Sequence, residues 1–216
     1  MERIETEADI ARALDALEEA DPRLTLVRAR AGTVDLRLSE PGFASLASIV
    51  IGQQVSRASA QAMLNRLVAL VQPLTAERLL ASDLSLLIQA GLSRAKQRTL
   101  LGLASAIEED GLDLQALVER PSDAAIATLV DLPGIGPWTA EVFLLTAGHA
   151  DVFPSRDVAL QAAVGQGLAL SSRPDARMLA GMAEAWRPWR SVAARLFWAF
   201  YREQRGREVI PVTEPA

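Results

Sequence analysis

Two stretches of this 216-residue chain combine residue types and spacings that could do chemistry. The first is Leu129-Val-Asp-Leu-Pro-Gly-Ile-Gly-Pro-Trp-Thr-Ala-Glu-Val-Phe-Leu-Leu145. Gly134 and Gly136, one apolar residue apart, permit a sharp reversal between two helices. Ile135 between them can plug down between those helices, and Pro137 suits the first turn of the second. A helix starting there presents backbone N–H groups that have no intrahelical acceptor, together with the positive end of its dipole. With no side chain on either glycine, a phosphate can approach those groups directly. The same residues also make an ordinary helical corner punctuated by Pro and Gly, and turn chemistry leaves both readings open. The second stretch is Asp151-Val-Phe-Pro-Ser-Arg-Asp157-Val-Ala-Leu. Asp157 lies 21 residues beyond Gly136, at a predicted helix start where the dipole favours a carboxylate. It is either a plain N-cap or a fixed carboxylate able to stabilise a developing cation and to orient or deprotonate a water.

The remaining reactive residue types narrow the options. There is no cysteine, which excludes disulfides, iron–sulfur clusters and cysteine-ligated zinc. The single histidine, His149, excludes a multi-histidine metal site and reads as a polar C-cap just past a helix end. The 22 basic residues are 21 arginines and one lysine, Lys96. A Schiff-base amine must therefore be Lys96 or the N-terminus. Lys96 sits in Ser-Arg-Ala-Lys-Gln-Arg, which reads as a solvated or phosphate-facing surface.

The elements that must position these residues are nearly all helical. Residues 7–20 place Ile10, Leu14 and Leu17 on one stripe, and Pro22 ends the run. Residues 33–38 (TVDLRL) alternate apolar and polar, as a short strand would. Phe43 to Ile51 reads as a buried helix, interrupted by Gly52-Gln53-Gln54. Ser56 caps a long helix to about Val71, and Thr75 and Ser82 cap two short ones. Ser93 opens a helix closed by Gly111, and short helices follow near 113–119 and 122–131. After the hairpin come helices from about Arg156, Pro174 and Pro188. Trp186 and Trp189 are expected in the core.

Half of the chain is apolar and 23% is charged, enough to fold around a real core. No apolar run approaches the ~20 residues that span a bilayer, and the acidic N-terminus lacks a signal core, so no membrane partner and a cytoplasmic location are expected. The net charge of −5 is unpromising for a nucleic-acid binder, but its distribution is uneven. Residues 52–98 carry +4 and residues 152–216 carry +3, against −8 over residues 99–151. Two positive segments could converge on one face, as phosphate binding needs.

The hairpin sequence LPGIGPWTAEVFLL resembles that of the helix-hairpin-helix DNA glycosylase superfamily. The resemblance implies that Gly134, Gly136 and Thr139 hold the DNA backbone. It also implies that the carbonyls of Val130, Leu132 and Gly134 hold a structural Na+ or K+ ion, with no organic cofactor. The superfamily's catalytic aspartate, about twenty residues past the hairpin at a helix start, matches Asp157. Departure of a base from deoxyribose passes through an oxocarbenium-like cation, which such a carboxylate stabilises. Strand-cleaving members carry a lysine two residues after the second hairpin glycine. Here that place is Trp138, which disfavours lyase chemistry. Trp138 and the C-terminal Ala185-Trp-Arg-Pro-Trp-Arg-Ser-Val-Ala-Ala-Arg-Leu-Phe-Trp198 resemble the alkylation-specific, AlkA-type branch (DNA-3-methyladenine glycosylase II). Trp138 and Trp198 would then wall a pocket whose indole faces attract a cationic purine. Two further pocket positions fall on Val142 and Val158, which implies a wider or less electron-rich pocket.

Flipping a base leaves a gap in the duplex. Ile49-Val-Ile-Gly-Gln-Gln-Val-Ser56 resembles the family's wedge segment, with Gln54 first and Gln53 second as the residue that fills the gap. The best-known members carry an extra N-terminal β-domain, and this chain begins almost at the helical lobes, as a shortened form would.

The resulting expectation is an all-α helix-hairpin-helix glycosylase fold with at most a short N-terminal β segment. One helical lobe joins residues 1–42 to 151–216, and the other spans 43–150. They would flank a DNA-binding cleft. The expected activity is monofunctional hydrolysis of the N-glycosidic bond of alkylated purines in double-stranded DNA by a monomer. The alternatives are a glycosylase for deaminated or ethenylated bases, a non-catalytic module that binds damaged DNA, and a plain helical domain.

Overall fold

The computed structural model describes residues 2–205 and is all-α. The helices are α1 (Glu7–Ala20), α2 (Leu24–Ala31), α3 (Phe43–Gly52), α4 (Arg57–Leu70), α5 (Ala76–Leu80), α6 (Ser85–Gln89) and α7 (Arg94–Glu108). They continue as α8 (Leu114–Val118), α9 (Ser122–Val130), α10 (Pro137–Thr146), α11 (Val158–Gly167), α12 (Ala176–Ala183) and α13 (Arg190–Arg205). No strand occurs among the described residues, whose only β feature is an isolated bridge between Arg3 and His149. None of their helices is long and apolar enough to cross a membrane.

The chain divides into two compact units. Among the described residues, one is Ser39–Phe143, and the other joins residues 2–38 to residues 144–205. In the latter, α13 packs on α2 and α11. Its core includes Leu24, Val27, Leu160, Val164 and Phe197. Trp186 lies between Phe153 and Phe197, with ring centroids 5.4 and 5.2 Å away. Trp186 is fully buried, and its indole N–H donates to Asp21 Oδ2 at 3.1 Å, which supplies the partner a buried indole needs. Trp189 is half-buried instead, with the Arg12 guanidinium 5.6 Å from its ring centroid.

In the Ser39–Phe143 unit, α3 packs on α4 and α7, and α5 packs on α7. Helix α3 is buried on nearly every face, which suits its almost wholly apolar sequence. Ser56, Thr75, Ser93 and Asp113 each accept a backbone N–H at the start of α4, α5, α7 and α8. Ser82 caps nothing; its hydroxyl donates to the carbonyl of Arg78, and Asp83 receives the N–H of Ser85 at 2.7 Å.

The strand expected over residues 33–38 is absent, and so is the optional N-terminal β segment. Arg37 has φ +39°, which a strand does not tolerate. An extended segment needs a partner for its edge. Here α13 supplies side chains instead: Arg202 donates to the carbonyl of Thr33 at 2.9 Å, and Arg195 to those of Asp35 and Arg37 at 3.5 and 3.3 Å. Arg195 also donates to the carbonyl of Leu145, near the end of α10, at 3.0 Å. Burial above all pushes its guanidinium down to about 10. His149 is buried rather than solvated; its backbone N–H closes α10 on the carbonyl of Leu144 at 3.1 Å. Gly148 makes the reversal at φ +94°, a glycine-dependent helix stop.

Candidate functional site

The hairpin joins α9 to α10 through Asp131–Gly136. Leu132 and Ile135 donate to the carbonyls of Leu129 and Leu132 at 3.2 and 3.0 Å, and Ile135 is buried as a plug. The two glycines are unlike. Gly134 has φ +88°, and a Cβ there would stand 1.9 Å from Thr99 Oγ1 on α7. Its glycine is required by backbone and packing together. Gly136 is not in the left-handed region, and a Cβ there would meet nothing within 4 Å. The protein's own packing gives no reason for a glycine at that position.

The turn after α3 reaches the hairpin. Gln53 Nε2 donates to Thr139 Oγ1 at 2.9 Å and to the carbonyl of Gly134 at 3.3 Å. Thr139 is buried, so its hydroxyl is committed inside the unit. Gln54 is exposed, at φ +56°. Of the two glutamines, Gln53 is engaged with the hairpin and Gln54 projects outward. Trp138 is half-buried at the start of α10, and Val142 is buried one turn further on.

Asp157 is the N-cap of α11, with a half-buried side chain. Its Oδ1 accepts the backbone N–H of Leu160 at 2.7 Å and the indole N–H of Trp198 at 3.3 Å. Asp157 is thus a helix cap whose carboxylate is also held from a second helix, α13. Trp198 is 4% exposed, so its ring offers little open face. Val158, the next residue after Asp157, is 62% exposed. The fold thus joins Asp157 to Trp198, and Gln53 to Gly134 and Thr139.

Several positioning contacts carry no sequence signal of their own. The loop before Asp157 is held by Gln161 Nε2 on the carbonyl of Ser155 at 2.9 Å. Ser191 Oγ accepts from the N–H of Val152 at 3.1 Å and donates to its carbonyl at 2.9 Å. Arg187 and Arg190 each hold Asp151 at 2.5 Å. Gln161 was recoverable in part, as a polar residue one turn after Asp157 on a mostly apolar helix. Lys96 is not on a solvated surface: its Nζ donates to the carbonyl of Ile51 at 2.6 Å.

Two helices meeting at a glycine turn over a buried apolar plug, with an aspartate capping the helix after next, define a protein of the helix-hairpin-helix class. Residues 47–190 match the family model described as "HhH-GPD superfamily base excision DNA repair protein". The chain belongs to this family. It is 36% identical over 106 residues to a Mycobacterium tuberculosis protein described as a probable bifunctional transcriptional activator/DNA repair enzyme AlkA, covering 49% of this chain and 20% of that protein. It is 34% identical over 126 residues to DNA-3-methyladenine glycosylase 2 of Escherichia coli, covering 57% of this chain and 41% of that enzyme. The match thus spans less than half the length of either curated relative. The crystal structure of a DNA-3-methyladenine glycosidase from Bacillus halodurans superposes with TM-score 0.76 and 28% identity, over 95% of this chain and 94% of that one.

Proposed function

We propose that this chain is a monofunctional DNA glycosylase that hydrolyses the N-glycosidic bond of alkylated purines of the 3-methyladenine type in duplex DNA. The observation that carries the proposal is the carboxylate of Asp157, fixed at the start of α11 by the Leu160 N–H and the Trp198 indole. Cleavage develops positive charge on the deoxyribose. A carboxylate already held in place stabilises that charge without reorganising, and it can take a proton from the attacking water. A purine alkylated on a ring nitrogen is itself cationic and needs little acid catalysis to leave, so the reading asks no acid role of His149, the chain's single histidine. The names of the curated relatives and of the Bacillus halodurans structure favour the same substrate class. Trp138, at the lyase-lysine position, favours hydrolysis alone.

Gly136 seats a phosphate against the start of α10, which accounts for a glycine the protein's packing does not need. Gln54 is the duplex wedge, since it projects while Gln53 is tied to the hairpin. Trp138 borders the base pocket. A Na+ or K+ ion at the hairpin would be held by the carbonyls of Val130, Leu132 and Gly134. Leu132 and Gly134 each already accept one hydrogen bond, which leaves a second lone pair on each oxygen for the ion. Such an ion would add positive charge beside the phosphate.

The test is release of methylated purines from alkylated duplex DNA, comparing wild type with Asp157→Asn. Release by wild type, with loss in a variant that still binds the duplex, supports the proposal. Binding without release from any methylated or deaminated duplex would overturn it in favour of a non-catalytic module.

A further inference from the structure

Helix α3 ends just before the turn that presents Gln54, and it has no basic residue in its last turn. Its final carbonyls lack intrahelical donors, and the negative end of its dipole lies there. The chain's single lysine fills that position from another helix. Lys96, on α7, donates to the carbonyl of Ile51 at 2.6 Å and makes no ion pair among the described residues. It is half-buried, and burial pushes the ammonium below the usual lysine range. Burial costs an ammonium that has no carboxylate beside it, and the carbonyl end of α3 offsets part of that cost.

One turn along, Thr99 lies against the hairpin at Gly134. Residues three apart share a helix face, so this face of α7 meets the end of α3 through Lys96 and the hairpin through Thr99. Gln53 closes the arrangement, from the α3 turn to Gly134 and Thr139. Gln54 is the next residue, and its φ of +56° is held against a backbone preference.

We propose that Lys96 is a positioning residue for the Gly52–Gln54 turn, setting Gln54 in register with the hairpin through the carbonyl end of α3 and through Gln53. The inference rests on the wedge role proposed above for Gln54. A residue that only fills the core would affect stability and every activity in proportion. A positioning residue affects extrusion of the base more than duplex binding.

The experiment uses duplexes with 2-aminopurine beside the lesion position, whose fluorescence rises when the stack opens, together with base release from methylated duplex. Lys96→Met keeps the aliphatic stem and removes the donor, and Lys96→Arg restores a cationic donor. Lys96→Met is expected to lower both extrusion and single-turnover release by about tenfold, the loss of one charge-assisted hydrogen bond. Its duplex Kd should stay within about twofold, as for a residue making no contact with DNA. Lys96→Arg should recover most of the loss. Extrusion equal to wild type in Lys96→Met, or a proportional loss of binding and extrusion, would overturn the proposal. So would failure of Lys96→Arg to recover. Should Lys96→Met not fold, Lys96→Gln carries the same comparison with a neutral donor and an expected intermediate loss. Wild type that opens the stack but releases no base ends the glycosylase reading while leaving the Lys96 comparison readable. Base release without any fluorescence change ends the Lys96 proposal and spares the glycosylase reading.

Discussion

The indole N–H of Trp198 donates to Asp157 Oδ1 at 3.3 Å, joining the middle of α13 to the N-cap of α11. The same oxygen accepts the N–H of Leu160 at 2.7 Å. A carboxylate held from two elements has one orientation, and its usefulness to a developing sugar cation depends on that orientation. The indole N–H also consumes the polar group of an otherwise buried ring. Trp198 is thereby the residue that aims Asp157 rather than a wall with an open face.

Trp198→Phe keeps the packing and deletes the N–H. The expected result is about a tenfold drop in the single-turnover rate of base release, from loss of one hydrogen bond to a charged group. KM for the duplex should change little. An unchanged rate would show that the indole does not orient the carboxylate.

The two hairpin glycines should separate stability from binding. Gly134→Ala places a methyl against Thr99 at a left-handed φ, so a loss of about 2 kcal/mol or more in thermal or denaturant unfolding is expected. Gly136→Ala meets no atom of the protein, and its stability should stay within about 0.5 kcal/mol of wild type. Its duplex Kd should nevertheless weaken measurably, by titration at fixed salt. Equal DNA affinity in Gly136→Ala would remove the phosphate from that position.

Gln54→Gly deletes the proposed wedge side chain and relieves its left-handed backbone at the same time. The folded state should hold or gain, by about 1 kcal/mol at most. Base release should fall even so. Wild-type activity in this variant would end the wedge assignment without any ambiguity from misfolding.

Acid stability should depend on Asp21. The Arg23 guanidinium first, and the Trp186 indole after it, hold the Asp21 carboxyl below the usual carboxylate range against the effect of its burial. A carboxyl lowered in the folded state stabilises above its unfolded value, near about pH 4, and that contribution is lost as pH falls through the lower folded value. Wild type should therefore lose stability more steeply below about pH 4 than Asp21→Asn does. At neutral pH, Asp21→Asn should be the less stable of the two by about 1–2 kcal/mol. Tryptophan emission during unfolding gives the readout, and parallel curves for the two proteins would refute the claim.

What the sequence by itself determined was local. Gly-Ile-Gly-Pro specifies a reversal and a helix start whatever surrounds it. Ser56, Thr75, Ser93 and Asp157 name helix starts because a side-chain oxygen satisfies an N–H within three residues. Helix α2 was missed, since its N-cap Arg23 makes no side-chain cap and its eight residues are confined between Pro22 and Gly32. The alternation over 33–38 was legible, but its meaning was not: arginines about 160 residues away took the carbonyls a neighbouring strand would have taken. The acceptor that draws Lys96 inward is 45 residues earlier, and the donor that orients Asp157 is 41 residues later. Gln53 and Gln54 are the same residue type side by side, and only the position of Thr139 separates their roles. Periodicity and capping act within a few residues, so sequence carries them directly. Which polar groups meet across the core is decided when the helices pack, and that is where this site was completed.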